Sequence, residues 1–242
     1  MTHFNNNFTL KVVLASQSPA RLKLLKDAGI TPIVAVSKVD EDAILTTLSE
    51  KPFAEQVIQL AKAKGKAIQA ERNACENPEI IIAADSMLSI NGLLQGKPHN
   101  TENVLARWQD MNGKSGELLT GHAVIIPPTT RSLLKLAPTT NLADCQYRLE
   151  ELENESLIIS ACKSTKIHLA TLTQDEITAY AQTGEPQKVA GALTIDGYGA
   201  PFVEAIEGDY QNVIGLSLTT LRGMLKTVGI SWPQLWDQEV SS

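Results

Sequence analysis

The chain has 242 residues, 43% of them apolar and 20% charged, with a formal net charge of −6. That is the profile of an ordinary globular protein with room for a sizeable core, and its acidity argues against a polymeric nucleic-acid partner gripped through its backbone. No run nears the roughly 18 apolar residues of a membrane span, the first fifteen or so residues lack the basic flank of a signal peptide, and Cys75, Cys145 and Cys162 have neither ligand nor disulfide spacing, so a cytoplasmic protein is expected.

Leu10 to Ala15 is a β-branched apolar run that reads as a buried strand. Ser18 then offers a helix N-cap and Pro19 suits the first helical position, where no N–H needs a partner. Leu22, Leu24, Leu25 and Ala28 supply the apolar face, and Gly29 the stop. A second strand is expected over 33–36 and a polar turn over 39–41. From Pro52 to Glu71, apolar residues at Phe53, Val57, Leu60, Ala61 and Ile68 recur with a helical period.

Ile80 to Ala84 is an apolar run ending in Asp85, a central strand. Two short runs about Asn91-Gly92 form a hairpin that delivers Gly96-Lys97-Pro98 to a loop. A helix over 101–111 and a strand over 120–126 come next. Residues 127–160 read as an irregular insertion, with helical character near 143–152. Beyond it lie a strand over 166–172, a helix over 174–181 capped by Thr173, a glycine-rich segment over 191–199, a strand over 202–206 and a helix over 218–228. Strands and helices alternate without a repeat, which predicts an α/β domain with a mixed twisted sheet flanked by helices.

The strand-to-helix junction LASQSPAR is a candidate anion seat, because exposed amides at a helix start attract negative charge and Arg21 adds a fork suited to phosphate oxygens. Ser16 and Ser18 offer hydroxyls; the plainer reading is a capping serine beside a solvated arginine. Asp85, directly after an apolar strand core, stands where ligands meet the ends of parallel strands. There it either positions a metal or a water, or caps a turn. Lys97, held between glycine and proline, is a phosphate ligand or a solvated turn lysine. Glu41 and Lys64 are individually weak signals. Glu207 and Asp209 flank Gly208 before an apolar, strand-like segment: either Asp209 and Asn212 organise that turn, or Glu207 or Asp209 adds to a metal site. The four histidines match no zinc spacing, and no glycine-framed serine elbow is present.

In their order these blocks resemble the Maf-type nucleoside triphosphate pyrophosphatases, which share an ITPase-like fold. The matching blocks are LASQSPARLKLLKDAGI, VDE at 39–41, LAKAKGKA at 60–67, IIAADS at 81–86, GKP at 96–98, TG at 120–121 and IEGDYQNVIGLSL at 206–218. The resemblance implies one domain of two lobes around a deep nucleotide-binding cleft, and a homodimer. It also implies metal-dependent hydrolysis of a nucleoside triphosphate to the monophosphate and pyrophosphate, with Mg²⁺ or Mn²⁺. Carried over by motif position, Ser16, Ser18 and Arg21 meet the triphosphate, Asp85 activates water, Lys64 and Lys97 support phosphate charge, and Glu41 occupies an acidic cleft position. Glu41 and Asp85 are the implied metal ligands; Asp196, where the family has a glutamine in the cleft, either adds to the metal site or meets an amino group of the substrate base. The chain departs from the family pattern at Ala20, Gly116, Val189, Leu193 and Asp196; the last exchanges an amide for an acceptor-only carboxylate. An alternative is a catalytically impaired relative that binds nucleotides or protein partners and is linked to septum formation.

Overall fold

A computed structural model describes residues 10–72, 77–134 and 147–237. Cys75 and Cys145 lie outside these. The core is a mixed eight-stranded sheet. Six strands run in the order β2 (Ile33–Val34), β1 (Lys11–Leu14), β3 (Glu79–Ile90), β5 (Ser115–Ile126), β7 (Leu157–Leu169) and β6 (Arg148–Glu151). β4 (Leu93–Gln95) pairs with β3, and β8 (Val203–Glu207) pairs with β7. β1 is parallel to both its neighbours, and the remaining ladders are antiparallel.

Alternation along β3 sends successive side chains to opposite faces. Ile80, Ile82 and Ala84 join Leu24 and Leu25 of α1 (Pro19–Asp27) and Leu221, Met224 and Leu225 of α8 (Leu218–Thr227). Ile81 and Ala83 meet Ala61 and Ile68 of α3 (Phe53–Glu71) on the other face. At the far end of the long strands, α4 (Thr101–Met111) and α6 (Gln174–Gln182) close a third cluster around the fully buried Trp108. α3 lies hard against β5: a Cβ added to Gly121 would sit 2.0 Å from the carbonyl oxygen of Val57. Only glycine permits that approach.

The helices expected at 19–28, 52–71, 101–111, 174–181 and 218–228 are present, the fourth with the full capping box between Thr173 and Glu176. Elsewhere the structure corrects the reading. The polar turn at 39–41 is the start of α2 (Glu41–Thr47), capped by Asp40, whose carboxylate accepts from the Ala43 N–H. Asp85 does not end a strand, because β3 runs on through it into the β4 hairpin. Parallel pairing with β1 does stop at Leu14↔Ile82, so Asp85 still stands just past the end of a parallel strand. Within 127–160 the described residues include α5 (Pro128–Leu133), β6 and the start of β7, with 152–156 between the two strands outside regular structure. The helical character expected near 143–152 is a strand at Arg148–Glu151, where β7 supplies the partner that local pattern cannot reveal; 135–146 lie outside the described residues. Asp209 caps a short helix, α7 (Tyr210–Ile214), in place of the strand-like segment expected there. Among the described residues no helix is long and apolar enough to cross a membrane.

Candidate active site

A cavity of about 800 Å³ opens beside the end of β1. Its walls come from the β1–α1 junction, the start of α2, the middle of α3, Asp85 and Ser86 of β3, the loop after β4, the segment 185–197 and the end of α7. Eight residues singled out from the sequence as site candidates, Ser16, Ser18, Arg21, Glu41, Lys64, Asp85, Lys97 and Asp196, line this one cavity. Glu207 and Asp209 do not. Asp209 instead holds the Gln211 N–H and the Ser217 and Thr219 hydroxyls, a capping role, and Glu207 accepts from His168 and Lys166 on the sheet.

The junction is built as its residue types require. Ser18 caps α1 by accepting from the Arg21 N–H, and Pro19 fills the first turn. The Arg21 side chain turns inward. Its Nε donates to the Gly215 carbonyl at 2.8 Å, its Nη1 to Ala84 O at 2.8 Å and Ser16 Oγ at 3.1 Å, and its Nη2 to Ser86 Oγ at 3.0 Å. Four of its five N–H groups are thus committed to the protein. Burial lowers its pKa, against the opposing pull of Asp85 and Glu41. Arg21 ties α1, β3 and the loop after α7 together, so it organises the cavity as much as it charges it. Ser86 passes the contact on to Thr120 Oγ1 at 2.9 Å.

Opposite charges converge next to it. Lys64 Nζ lies 2.5 Å from Asp85 Oδ1 and 2.9 Å from Glu41 Oε1. Lys64 and Asp85 are almost fully buried, whereas the Glu41 side chain is about half exposed. Burial raises the Asp85 pKa above the ordinary carboxylate value, with Lys64 and Arg21 pulling the other way. A carboxyl held in this way ionises closer to neutral pH than a surface aspartate. Glu41 and Asp85 are hard oxygen donors that share one face of the cavity. Among the described residues no group of three or more His, Cys, Asp or Glu side chains is placed to hold a metal, and Asp196 sits on the wall formed by 193–197.

The sequence did not single out Glu185, Gln187 or Lys188, which also line the cavity. The Glu185 carboxylate accepts from Tyr180 OH at 3.2 Å, Thr194 Oγ1 at 2.5 Å and the N–H groups of Tyr198 and Gly199 at 2.9 and 3.0 Å. Burial alone would raise its pKa, but these donors, Thr194 foremost, hold it below the ordinary value. The carboxylate is the hub around which 194–199 wraps. The only local signal for it is the Thr183-Gly184-Glu185-Pro186 turn, with Gly184 at φ 74°.

Residues 11–228, most of the chain, match the family described as Maf-like protein. The chain belongs to the Maf family. Its relatives include proteins named nucleoside triphosphate pyrophosphatase. That of Nocardia farcinica is 41% identical over 94% of this chain and 97% of its own. Those of Corynebacterium efficiens and Streptomyces avermitilis are 37% and 40% identical, covering 94% and 93% of this chain and 99% and 94% of theirs. The Maf match spans every element from β1 to α8, and so every wall of the cavity.

Proposed function

We propose that this Maf-family protein hydrolyses a nucleoside triphosphate to the monophosphate and pyrophosphate, with water attack assisted by Asp85. The observation that carries the reading is the buried Lys64–Asp85 pair, set in a cavity that also holds a helix start and Lys97. The names of the relatives support the substrate class.

Glu41 and Asp85 suit a divalent cation of the Mg²⁺ type, which typically takes one or two carboxylates together with substrate phosphates. When bound, such an ion neutralises charge developing on the phosphates. The residues of the chain do the rest. Asp85 accepts a proton from a water, whose oxygen bonds to the α-phosphorus. The bond from that phosphorus to its β-bridging oxygen breaks, and pyrophosphate leaves with the electron pair. Lys64 keeps the Asp85 carboxylate oriented and ionised, Lys97 offers positive charge to the leaving group, and the Ser16–Ser18 junction receives phosphate oxygens at the start of α1. Asp196, an acceptor-only group that lines the same cavity, is available to N–H donors of the base.

The test is pyrophosphate release over a panel of nucleoside triphosphates, with Mg²⁺, with Mn²⁺ and with chelator. Turnover that needs added metal supports the reading. Absence of turnover from folded protein with every nucleotide and metal refutes it.

A further inference from the structure

Eight charged side chains line the cavity, and most are already answered by neighbours. Lys64 is shared between Asp85 and Glu41. Arg21 spends its donors on carbonyls and hydroxyls, and Glu185 accepts from four donors, Tyr180 of α6 and three in the 194–199 segment. The charge of Asp196 acts on Lys23 of α1. Two cations remain, Lys97 and Lys188, whose side chains make no hydrogen bond or ion pair with any described residue.

These two belong to one seam. The loop after β4 and the segment before Gly191 are bound to each other by three hydrogen bonds: His99 N–H to Gln187 O at 3.1 Å, Gly191 N–H to Gly96 O at 3.1 Å and Gln187 Nε2 to Thr101 Oγ1 at 3.0 Å. Lys97 lies between the first two bonds on one strand of the seam, and Lys188 follows Gln187 on the other. The backbone carrying both lysines is therefore fixed, while neither ammonium group is ion-paired with a described residue at the wall of the cavity. A lysine in that state is a point charge suited to phosphate oxygens.

We propose that Lys188 contacts phosphate and forms with Lys97 a second anion seat, distinct from the Ser16–Ser18 junction, that takes the far end of a polyphosphate chain. This rests on the nucleotide reading of the same cavity and names a residue that reading does not include.

The experiment titrates inorganic tripolyphosphate into native protein, Lys188→Ala, Lys188→Arg and, as a control for net charge, Lys226→Ala at the exposed end of α8, by calorimetry at low and high salt. Lys188→Ala is expected to bind about fivefold more weakly at low salt, as for loss of one exposed charge contact, and to show a shallower salt dependence. Lys188→Arg and Lys226→Ala are expected to bind like native protein. Equal binding by native protein and Lys188→Ala, or no binding by either, overturns the proposal. In steady-state kinetics Lys188→Ala should raise KM and leave kcat within about twofold, the pattern of lost ground-state binding. Native turnover with an unchanged KM in Lys188→Ala sinks this proposal alone. Native protein without turnover sinks the pyrophosphatase reading, and the titration still decides the role of Lys188.

Discussion

Lys64 Nζ, from the middle of α3, donates to Asp85 Oδ1 across 2.5 Å at the one place where β3 outruns its parallel neighbour β1. The pair is 21 residues apart in sequence and nearly dry. Its position follows from two backbone facts. β3 continues into the β4 hairpin, carrying Asp85 past Leu14, and Gly121 of β5 lets α3 settle close enough for Lys64 to reach it.

Removing the cation should move the pH dependence of the reaction. Burial already raises the Asp85 pKa, and Lys64 is the strongest opposing influence. In Lys64→Met the carboxyl therefore titrates higher still. In the proposed mechanism Asp85 acts as a carboxylate, so activity is expected above its folded pKa and is lost as pH falls through it. The acidic limb of the kcat/KM profile is expected to shift to higher pH in the variant, and an unshifted limb would separate Lys64 from the ionisation of Asp85.

His122 predicts an acid sensitivity of the fold. It is fully buried, donates from Nδ1 to Thr120 O and accepts the Ser217 N–H at Nε2, which fixes it as neutral. Burial, with help from Arg21, lowers its pKa to about 3. An unfolded histidine binds its proton near pH 6.5, so between there and about pH 3 the unfolded state holds more protons than the native one. Stability contributed by neutral His122 is complete above the unfolded value and declines as pH falls toward the folded one. Thermal melts of His122→Gln should show a protein weaker near neutrality by roughly 1–2 kcal/mol but flatter than native between about pH 6 and pH 4.

Gly121→Ala tests the packing that sets the site. The added methyl would lie 2.0 Å from Val57 O and 2.6 Å from Ile58 N, both helix backbone that cannot rotate away. A loss of about 3 kcal/mol or more is expected in denaturant unfolding. A variant as stable as native protein would mean that α3 is free to shift, and with it Lys64.

Asp196→Asn should change which base is preferred more than how fast the best substrate reacts. A carboxylate only accepts hydrogen bonds, while an amide also donates. The order of kcat/KM among nucleoside triphosphates is expected to change by about tenfold or more between competing bases. An unaltered ranking would remove Asp196 from base recognition.

Much of this was legible in the sequence, where local chemistry decides structure. Ser18 ahead of Pro19, and Thr173 ahead of Gln174, mark helix starts through caps that need no distant partner. The Asn91-Gly92 hairpin declares itself because positive φ at both positions suits those two residues. What was missed depends on partners far along the chain. α2 buries no residue and starts in a run of acids, so its only signal was the Asp40 cap. β6 is a strand because β7 pairs with it, and Asp85 lies within a strand because β4 and β5 extend the ladder beside it. The family blocks supplied seven site candidates, and the departure at Asp196 an eighth, that line one cavity. Glu185 and Lys188 went unnoticed because a wrapped turn, with no periodic pattern, delivers them.

The most direct measurement compares pyrophosphate release by native protein and by Asp85→Asn with the preferred nucleoside triphosphate and Mg²⁺, both shown folded by circular dichroism. The amide retains the size of the carboxylate and cannot take the proton of water. Native turnover, reduced by about a thousandfold or more in the variant, is the predicted result. Turnover by Asp85→Asn within a few fold of native would contradict the account at its centre.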